Sequence, residues 1–130
     1  METYTTSALA KISGISRDQL VQWDRAGLLR PARRPRGRVS ERIYTGEQAL
    51  GVVALGELRR CGVSDRRIRN ASALLPPTLS DYSYLVFDGR MVYARSTEAE
   101  VIALFTKSKS ECRVLEVRPL MVKLATASTV

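Results

Sequence analysis

Apolar residues in the first half of the chain recur every three or four positions, which is the spacing of one face of a helix. Residues 5–12 are predicted to form a short first helix, with Thr5 or Thr6 as its N-cap. Residues 17–26 are predicted to form a second helix, with Ser16 as its N-cap. Two short helices joined by a Gly-containing turn form a helix-turn-helix unit.

The segment after the second helix is rich in arginine and proline, which is typical of an exposed loop. Gly27 is suited to the left-handed position that ends a helix, and Gly37 is predicted to lie at the tip of the loop. Residues 42–44 predict a short returning strand, so the segment has the pattern of a wing. Residues 46–61 and 65–75 predict a third and a fourth helix, and two prolines stop the fourth. The residues predicted to face inward on the fourth helix are Ile68, Ala71, Leu74 and Leu75.

After residue 77 the pattern changes to the alternation typical of strands. Asp88-Gly89 lies between two such segments and predicts a hairpin with a two-residue turn. The capping-box spacing of Thr97 and Glu100 predicts the start of a helix. The predicted elements are strands at 84–87 and 91–94, a helix with Val101, Leu104 and Phe105 along one side, and strands at 112–118 and 120–124.

These elements predict an α+β fold with two parts. Residues 1–77 would form a winged helix-turn-helix of four short helices and a wing, and residues 78–130 a small ββαβ module. A core of only about fifty residues is marginal on its own. We therefore expect the module to pack on the N-terminal domain or on a second copy of itself.

The net charge of +8 is concentrated in the first half of the chain. Residues 1–75 contain 14 Lys and Arg against 7 Asp and Glu, whereas residues 76–130 contain 7 against 6. Glu41 is the one acidic residue within a short run of six arginines, namely Arg30, Arg33, Arg34, Arg36, Arg38 and Arg42. Guanidinium groups match phosphate oxygens, so this stripe predicts a polyanionic partner such as nucleic acid.

Other residue types argue against catalysis and against metal or cofactor binding. The chain has no histidine and only Cys61 and Cys112, which cannot supply a Cys/His metal cluster and which we expect to be small buried groups. No Gly-rich phosphate loop or Gly-x-Ser-x-Gly motif occurs, and we expect neither a catalytic site nor a cofactor. The chain shows no membrane-spanning run or signal peptide pattern, so we expect a cytoplasmic, nucleoid-associated protein.

Short motifs follow one another in a definite order over residues 4–75. They are Tyr4-Thr5-Thr6 with Ala10 and Gly14-Ile15-Ser16, then Leu20-Val21-Gln22-Trp23-Asp24, Gly27-Leu28-Leu29 with Pro31, Arg42-Ile43-Tyr44-Thr45, and Leu58-Arg59 with Gly62-Val63-Ser64 and Ile68. This ordered set resembles the DNA-binding domain of the MerR family of bacterial regulators. The resemblance implies a winged helix-turn-helix that binds double-stranded DNA, usually at a promoter.

The chain differs from that family's pattern in two places. Members usually have arginine where Val21 stands, so the family's contact at that position does not carry over. The long C-terminal helix that pairs subunits of the family is replaced by Pro76-Pro77 and the ββαβ module. The usual dimer geometry and effector pocket are therefore not implied for this chain.

The helical pattern sorts the second helix into an inner and an outer face. Leu20 and Trp23 must face the core, and Gln22 and Arg17 are suited to adenine and to guanine or phosphate. The wing arginines are expected at phosphates or in the minor groove. The complete predicted DNA-binding set is Arg17, Asp18, Val21, Gln22 and Arg25 on the helix, and Arg33, Arg34, Arg36, Arg38 and Arg42 in the wing.

The aromatic residues are interpreted mainly as packing groups. The spacing of Trp23 and Tyr44 favours the core over base stacking. Tyr82, Tyr84, Phe87 and Tyr93 are expected to pack across strands, with a ligand pocket as the alternative.

A sequence-specific transcriptional regulator, dimeric through residues 78–130, is the function that these observations favour. Two alternatives remain open at this point. One is an antitoxin-like interaction protein whose C-terminal module binds a partner protein. The other is an architectural DNA-bending factor similar to phage excisionases.

Overall fold

A computed structural model describes residues 2–107 and 112–128. The helices are α1 (Thr6–Ser13), α2 (Arg17–Arg25), α3 (Gly46–Arg60), α4 (Asp65–Ser72), α5 (Glu98–Lys107) and α6 (Val117–Ser128). The strands are β1 (Thr3–Thr5), β2 (Ala32–Arg36), β3 (Val39–Thr45), β4 (Tyr84–Phe87), β5 (Val92–Arg95) and β6 (Arg113–Glu116), and a 3-10 turn covers Leu79–Asp81. The mixed helix and sheet class predicted from the sequence is confirmed.

Both predicted N-caps of the helix-turn-helix are present. The Thr5 hydroxyl accepts a hydrogen bond from the N–H of Ala8 at 3.2 Å, and the Ser16 hydroxyl accepts one from Gln19 at 3.1 Å. Gly27 ends α2 with a φ of 77°, a left-handed conformation that costs an L side chain about 1–2 kcal/mol. The Gly27 N–H donates to the carbonyl of Asp24, and this hydrogen bond directs the chain from α2 toward the wing.

The wing is a three-stranded antiparallel sheet in the order β1-β3-β2. The last pair of its hairpin joins Arg36 and Val39 across Gly37-Arg38, so Gly37 lies at the predicted tip with a φ of 63°. Strand β1 was not predicted, because a strand of three residues is too short to show a period.

Helix α3 is the central element of the core. Thr45 and Gln48 form a capping box at its start, and α1, α4 and α6 pack around it. Gly56 allows α1 to approach closely, because a Cβ there would lie 2.1 Å from the carbonyl oxygen of Ser13. Because α1, α4 and α6 surround α3, every residue from Ala49 to Gly56 is buried, and this part of the helix has no exposed face.

Helix α4 is shorter than predicted. It ends at Ser72, and the prediction that Leu74 faces inward is wrong because its side chain is 40 % exposed. A residue that precedes proline is disfavoured in helical conformation, so Pro76 restricts Leu75 and the chain leaves the helix before it. Ile68 and Ala71 are buried as predicted.

The C-terminal module contains an antiparallel sheet in the order β5-β4-β6, with α5 connecting its two edge strands. The hairpin turn is displaced by one residue from the prediction: Asp88 donates its N–H to the carbonyl of Met91, which leaves Gly89-Arg90 as the turn. The Asp88 carboxylate accepts hydrogen bonds from the N–H groups of Arg90 and Met91 at 2.9 and 2.7 Å. Burial acts to raise the pKa of Asp88, but these donors outweigh it and lower that pKa.

The predicted strand at residues 120–124 is wrong, because these residues belong to α6. Strand β6 also ends at Glu116 instead of Arg118. Pro119 lies in the first turn of α6, where a helix does not need its N–H. The module is therefore ββαβα within the described residues.

The prediction for the inner side of α5 is only partly correct. Val101 is buried and Leu104 is partly buried, but Phe105 is 43 % exposed. Helix α5 therefore buries little of its own apolar surface, and Phe105 stays exposed to solvent.

The module packs on the N-terminal domain, which is one of the two arrangements expected from its size. Leu85 and Leu115 of the sheet and Leu120 and Leu124 of α6 join the same hydrophobic core as α3. Polar contacts reinforce this junction: the Lys123 ammonium lies 3.3 Å from the Glu57 carboxylate, and Ser80 donates to Glu47 from its hydroxyl and its N–H. No helix in the described ranges is long and apolar enough to cross a bilayer.

Candidate nucleic-acid interface

Helix α2 presents the two faces predicted for it. Leu20 and Trp23 are buried, with 0 % and 3 % of their surface exposed. The opposite face carries Arg17, Asp18, Gln22 and Arg25 as exposed residues and Val21 as a half-buried one. A short helix with one anchored face and one polar, basic face is suited to lie in a major groove.

Tertiary contacts hold α2 in place on the core. Ile15, in the turn before it, is fully buried. Gln19 points toward α3 and accepts a hydrogen bond from the Arg59 guanidinium at 2.7 Å. Arg59 also lies 3.4 Å from the carboxylate of Asp65, so the base of α2 is tied to the start of α4.

The Asp24 carboxylate joins α2 to the wing. Its Oδ2 accepts from the Arg33 guanidinium of β2 at 2.7 Å and from Nε of Arg42 on β3 at 2.5 Å. The side chains of Asp24 and Arg42 are only 11 % and 20 % exposed. The structure therefore places two of the predicted DNA-binding arginines against a carboxylate of the protein itself.

Glu41 plays a similar part within the hairpin. Its carboxylate lies 2.9 Å from Arg34 and 3.3 Å from Arg36, the other paired arginines of the wing. The hydrogen bond from Arg34 holds the pKa of Glu41 below its usual value. Arg38, at the turn, is exposed and forms no ion pair with the part of the chain that the structure describes.

Two further arginines lie beside α2 that the sequence interpretation did not assign to the site. Arg66 and Arg69 of α4 line a cleft of about 520 Å³ together with Gln22 and Trp23 of α2. Their signal was present in the sequence: with Ile68 and Ala71 inward, the helical period turns positions 66 and 69 outward. The sequence did not show that they would lie beside α2, because that depends on the tertiary fold.

The aromatic residues of the N-terminal domain are packing groups, as predicted. Tyr44 is fully buried, and burial raises the pKa of its phenol. In the module, Phe87 is buried in the core and the Arg95 guanidinium lies 5.3 Å from the ring centre of Tyr93. Tyr82 and Tyr84 border an open cleft of about 800 Å³.

The two cysteines are more accessible than the sequence predicted. Cys61 is exposed and Cys112 is half-buried, so the expectation that both thiols are buried is wrong. Residues 2–107 and 112–128 contain no group of three His, Cys, Asp or Glu side chains suited to a metal ion.

The comparison with protein families agrees with this geometry. Residues 4–74, more than half of the chain, match the family model described as MerR HTH family regulatory protein. A search of curated proteins found no match. The matched range contains the helix-turn-helix, the wing, α3 and α4, but not the C-terminal module. The chain therefore belongs to the MerR family of helix-turn-helix regulators, which are DNA-binding proteins.

Proposed function

We propose that this protein is a sequence-specific transcriptional regulator that binds double-stranded DNA as a homodimer. The observation that carries the proposal is the junction at Asp24, which fixes an exposed polar helix beside an arginine-rich wing. One surface with a base-reading element and a phosphate-binding element is what sequence-specific recognition requires. The proposal assigns the protein no enzymatic activity and places it on the nucleoid in the cytoplasm.

The exposed face of α2 would read the bases. Gln22 carries an amide that is able to pair with adenine, and Arg17 is placed at the helix start to reach guanine or a phosphate. Asp18, Val21 and Arg25 would complete the contact surface in the groove. Each good bidentate base contact contributes about 1–3 kcal/mol of discrimination.

The wing and α4 would bind the sugar–phosphate backbone of the DNA. Arg38 is free to bind phosphate at once, and Arg34 and Arg36 are mostly exposed and would exchange Glu41 for phosphate oxygens. Arg66 and Arg69 lie on the other side of α2 and would bind phosphates there. Arg33 and Arg42 would have a positioning role in addition to their charge.

The second copy would bind through the outer side of the C-terminal module. On β4, Leu85 and Phe87 face the shared core, so residues that alternate with them face outward. Val86 on that other face is itself buried, at 1 % exposed, but its strand partner Val114 is 37 % exposed, and Ile102 and Phe105 of α5 are 58 % and 43 % exposed. These three exposed residues, which we term the outer apolar face, are suited to burial between two subunits.

A selection experiment tests this function. The full chain is incubated with a library of random duplexes, and the bound pool is sequenced. Enrichment of a motif with two half-sites about 10 base pairs apart, or a multiple of it, is expected for a dimer with two recognition helices. A pool that stays random after repeated rounds would contradict sequence-specific recognition, and a single half-site would contradict the dimer.

The outer apolar face also favours a second candidate, in which the module binds a different protein, as in an antitoxin. The two proposals differ in what occupies this face. Sedimentation of the chain purified from its native host separates them, because a complex with one stoichiometric partner of another sequence supports the second candidate and a homodimer supports the first.

A further inference from the structure

Two carboxylates divide four wing arginines into two pairs. Asp24 binds Arg33 and Arg42, and Glu41 binds Arg34 and Arg36. The two sets differ in what they connect. Asp24 lies on α2 and reaches both strands of the β2–β3 hairpin, whereas Glu41 and its partners all lie within that hairpin.

The Asp24 pair is also the more sheltered one. The two carboxylates are similarly sheltered, with Asp24 11 % and Glu41 16 % exposed, but Arg42 is only 20 % exposed, whereas the other three arginines are between 47 % and 75 % exposed. Charges in a partly buried environment interact more strongly than those at the surface, where ion pairs contribute little. The Asp24 pair is therefore able to fix a position, and the Glu41 pair mainly balances charge.

In the part of the chain that the structure describes, few buried side chains hold the hairpin at its angle to α2. Every residue of β2 is exposed, and Tyr44 is the buried residue of β3. Apolar packing thus anchors the hairpin at its base, close to β1 and α3, and leaves the outer part to polar contacts. Among residues 2–107 and 112–128, the contacts of Asp24 with Arg33 and Arg42 are the only side-chain ion pairs between α2 and the wing.

We propose that Asp24 is a specificity-determining positioning residue, which fixes the wing beside α2 through Arg33 and Arg42 and keeps these two guanidinium groups from phosphates of arbitrary DNA. The inference rests on the DNA-binding function proposed above. With the wing fixed, phosphate contacts form only when α2 is in register with its bases. Without Asp24, the wing binds phosphates wherever it meets them, and the sequence read by α2 has less influence on affinity.

Glu41 provides a matched control. Asp24→Asn and Glu41→Gln each remove one negative charge, keep the side-chain shape and release two arginines. Only Asp24→Asn removes a link between the wing and α2. The measurement is the affinity of full-length variants for a selected duplex and for a scrambled duplex of equal length, each at several salt concentrations.

Both variants are expected to bind the scrambled duplex more tightly. In Asp24→Asn the salt dependence should also become steeper, because each arginine newly placed on a phosphate adds about 0.9 to the slope. In Glu41→Gln the slope should stay the same, because Arg34 and Arg36 already bind phosphates and only lose a competing carboxylate. The ratio of the two affinities should fall about tenfold in Asp24→Asn and stay within about twofold in Glu41→Gln, since one lost base contact corresponds to about tenfold or more. Equal ratios in the two variants would overturn the proposal, because Asp24 would then act by charge alone.

Arg42→Lys decides the question if Asp24→Asn does not fold. It keeps the net charge but removes the Nε donor that lies on Asp24. We expect a lower affinity ratio with an unchanged salt slope, and a wild-type ratio would overturn the proposal. The same data test the proposed function separately. If the wild-type chain binds the selected and scrambled duplexes equally, sequence-specific recognition is refuted. If the wild type and all variants keep the same preference, only the role of Asp24 is refuted.

Discussion

At the scale of single residues, the charge pattern of the wing was evident from the sequence but its pairing was not. The run of arginines predicted a phosphate-binding segment. The partners of Arg42 and Arg33 lie 18 and 9 positions away on another element, and no local pattern reports such a distance in space. Sequence patterns therefore located the candidate interface but did not distinguish a free guanidinium, at Arg38, from those held by Asp24.

Gln22 tests the base-reading face. Gln22→Ala removes an exposed amide without touching the buried side of α2, so we expect unchanged stability. Binding to the selected duplex should weaken by about 1–3 kcal/mol while binding to a scrambled duplex stays the same. Fluorescence anisotropy with both duplexes measures the difference. Equal losses on the two duplexes would mean that Gln22 does not read bases.

Replacing Arg38 tests whether the arginine at the wing tip binds a DNA phosphate. Arg38→Ala should reduce the slope of log affinity against log salt by about 0.9, because one phosphate contact releases about that many counterions. Arg90→Ala is the matched control, since Arg90 is also an exposed arginine in a hairpin turn, that of the module. The same slope for the wild type and Arg38→Ala would remove the wing tip from the interface.

At the scale of elements, prediction succeeded where a local signal defines the structure. Side-chain caps at Thr5, Ser16 and Ser64 start helices, and Gly27 ends one, so the helix-turn-helix was predicted to within a residue or two. Helix α6 was missed because its apolar residues also fit a strand and Pro119 resembles a stop. Its helical form depends on packing against α3, which is a tertiary contact.

The α1–α3 junction provides a stability test. Gly56→Ala would place a Cβ 2.1 Å from the carbonyl oxygen of Ser13, so the two helices must separate. We expect a loss of about 1–3 kcal/mol in the free energy of unfolding, measured by urea denaturation. Gly46→Ala is the control, because nothing lies within 4 Å of its Cβ position, and it should be neutral or slightly stabilising. Similar stabilities of the two variants would contradict the close approach.

At the scale of the whole molecule, the two halves of the sequence share one core. Leu120 and Leu124 of α6 bury part of α3, so removing residues 78–130 would expose apolar surface as well as any dimer contact. The length of the module indicated that it needed a packing partner, but not which face would remain uncovered. That face is defined by α5 and by β6, an edge strand of the sheet.

A point substitution separates assembly from folding. Phe105→Glu adds a charge to the outer apolar face and should shift the chain from dimer to monomer in sedimentation, with little change in unfolding free energy. Val122→Glu on α6 is the control, because that side chain is apolar and 56 % exposed but lies outside the outer apolar face. A Phe105→Glu chain that still sediments as a dimer would place the dimer contact elsewhere.

The most direct test of the central claim compares the protein's own upstream DNA with a scrambled duplex of equal length by fluorescence anisotropy at two salt concentrations. A regulator that reads bases with α2 should bind its own DNA more tightly, and the preference should persist at the higher salt, since base contacts release no counterions. Equal binding to both duplexes that disappears at the higher salt would contradict the account and leave a protein that binds DNA through charge alone.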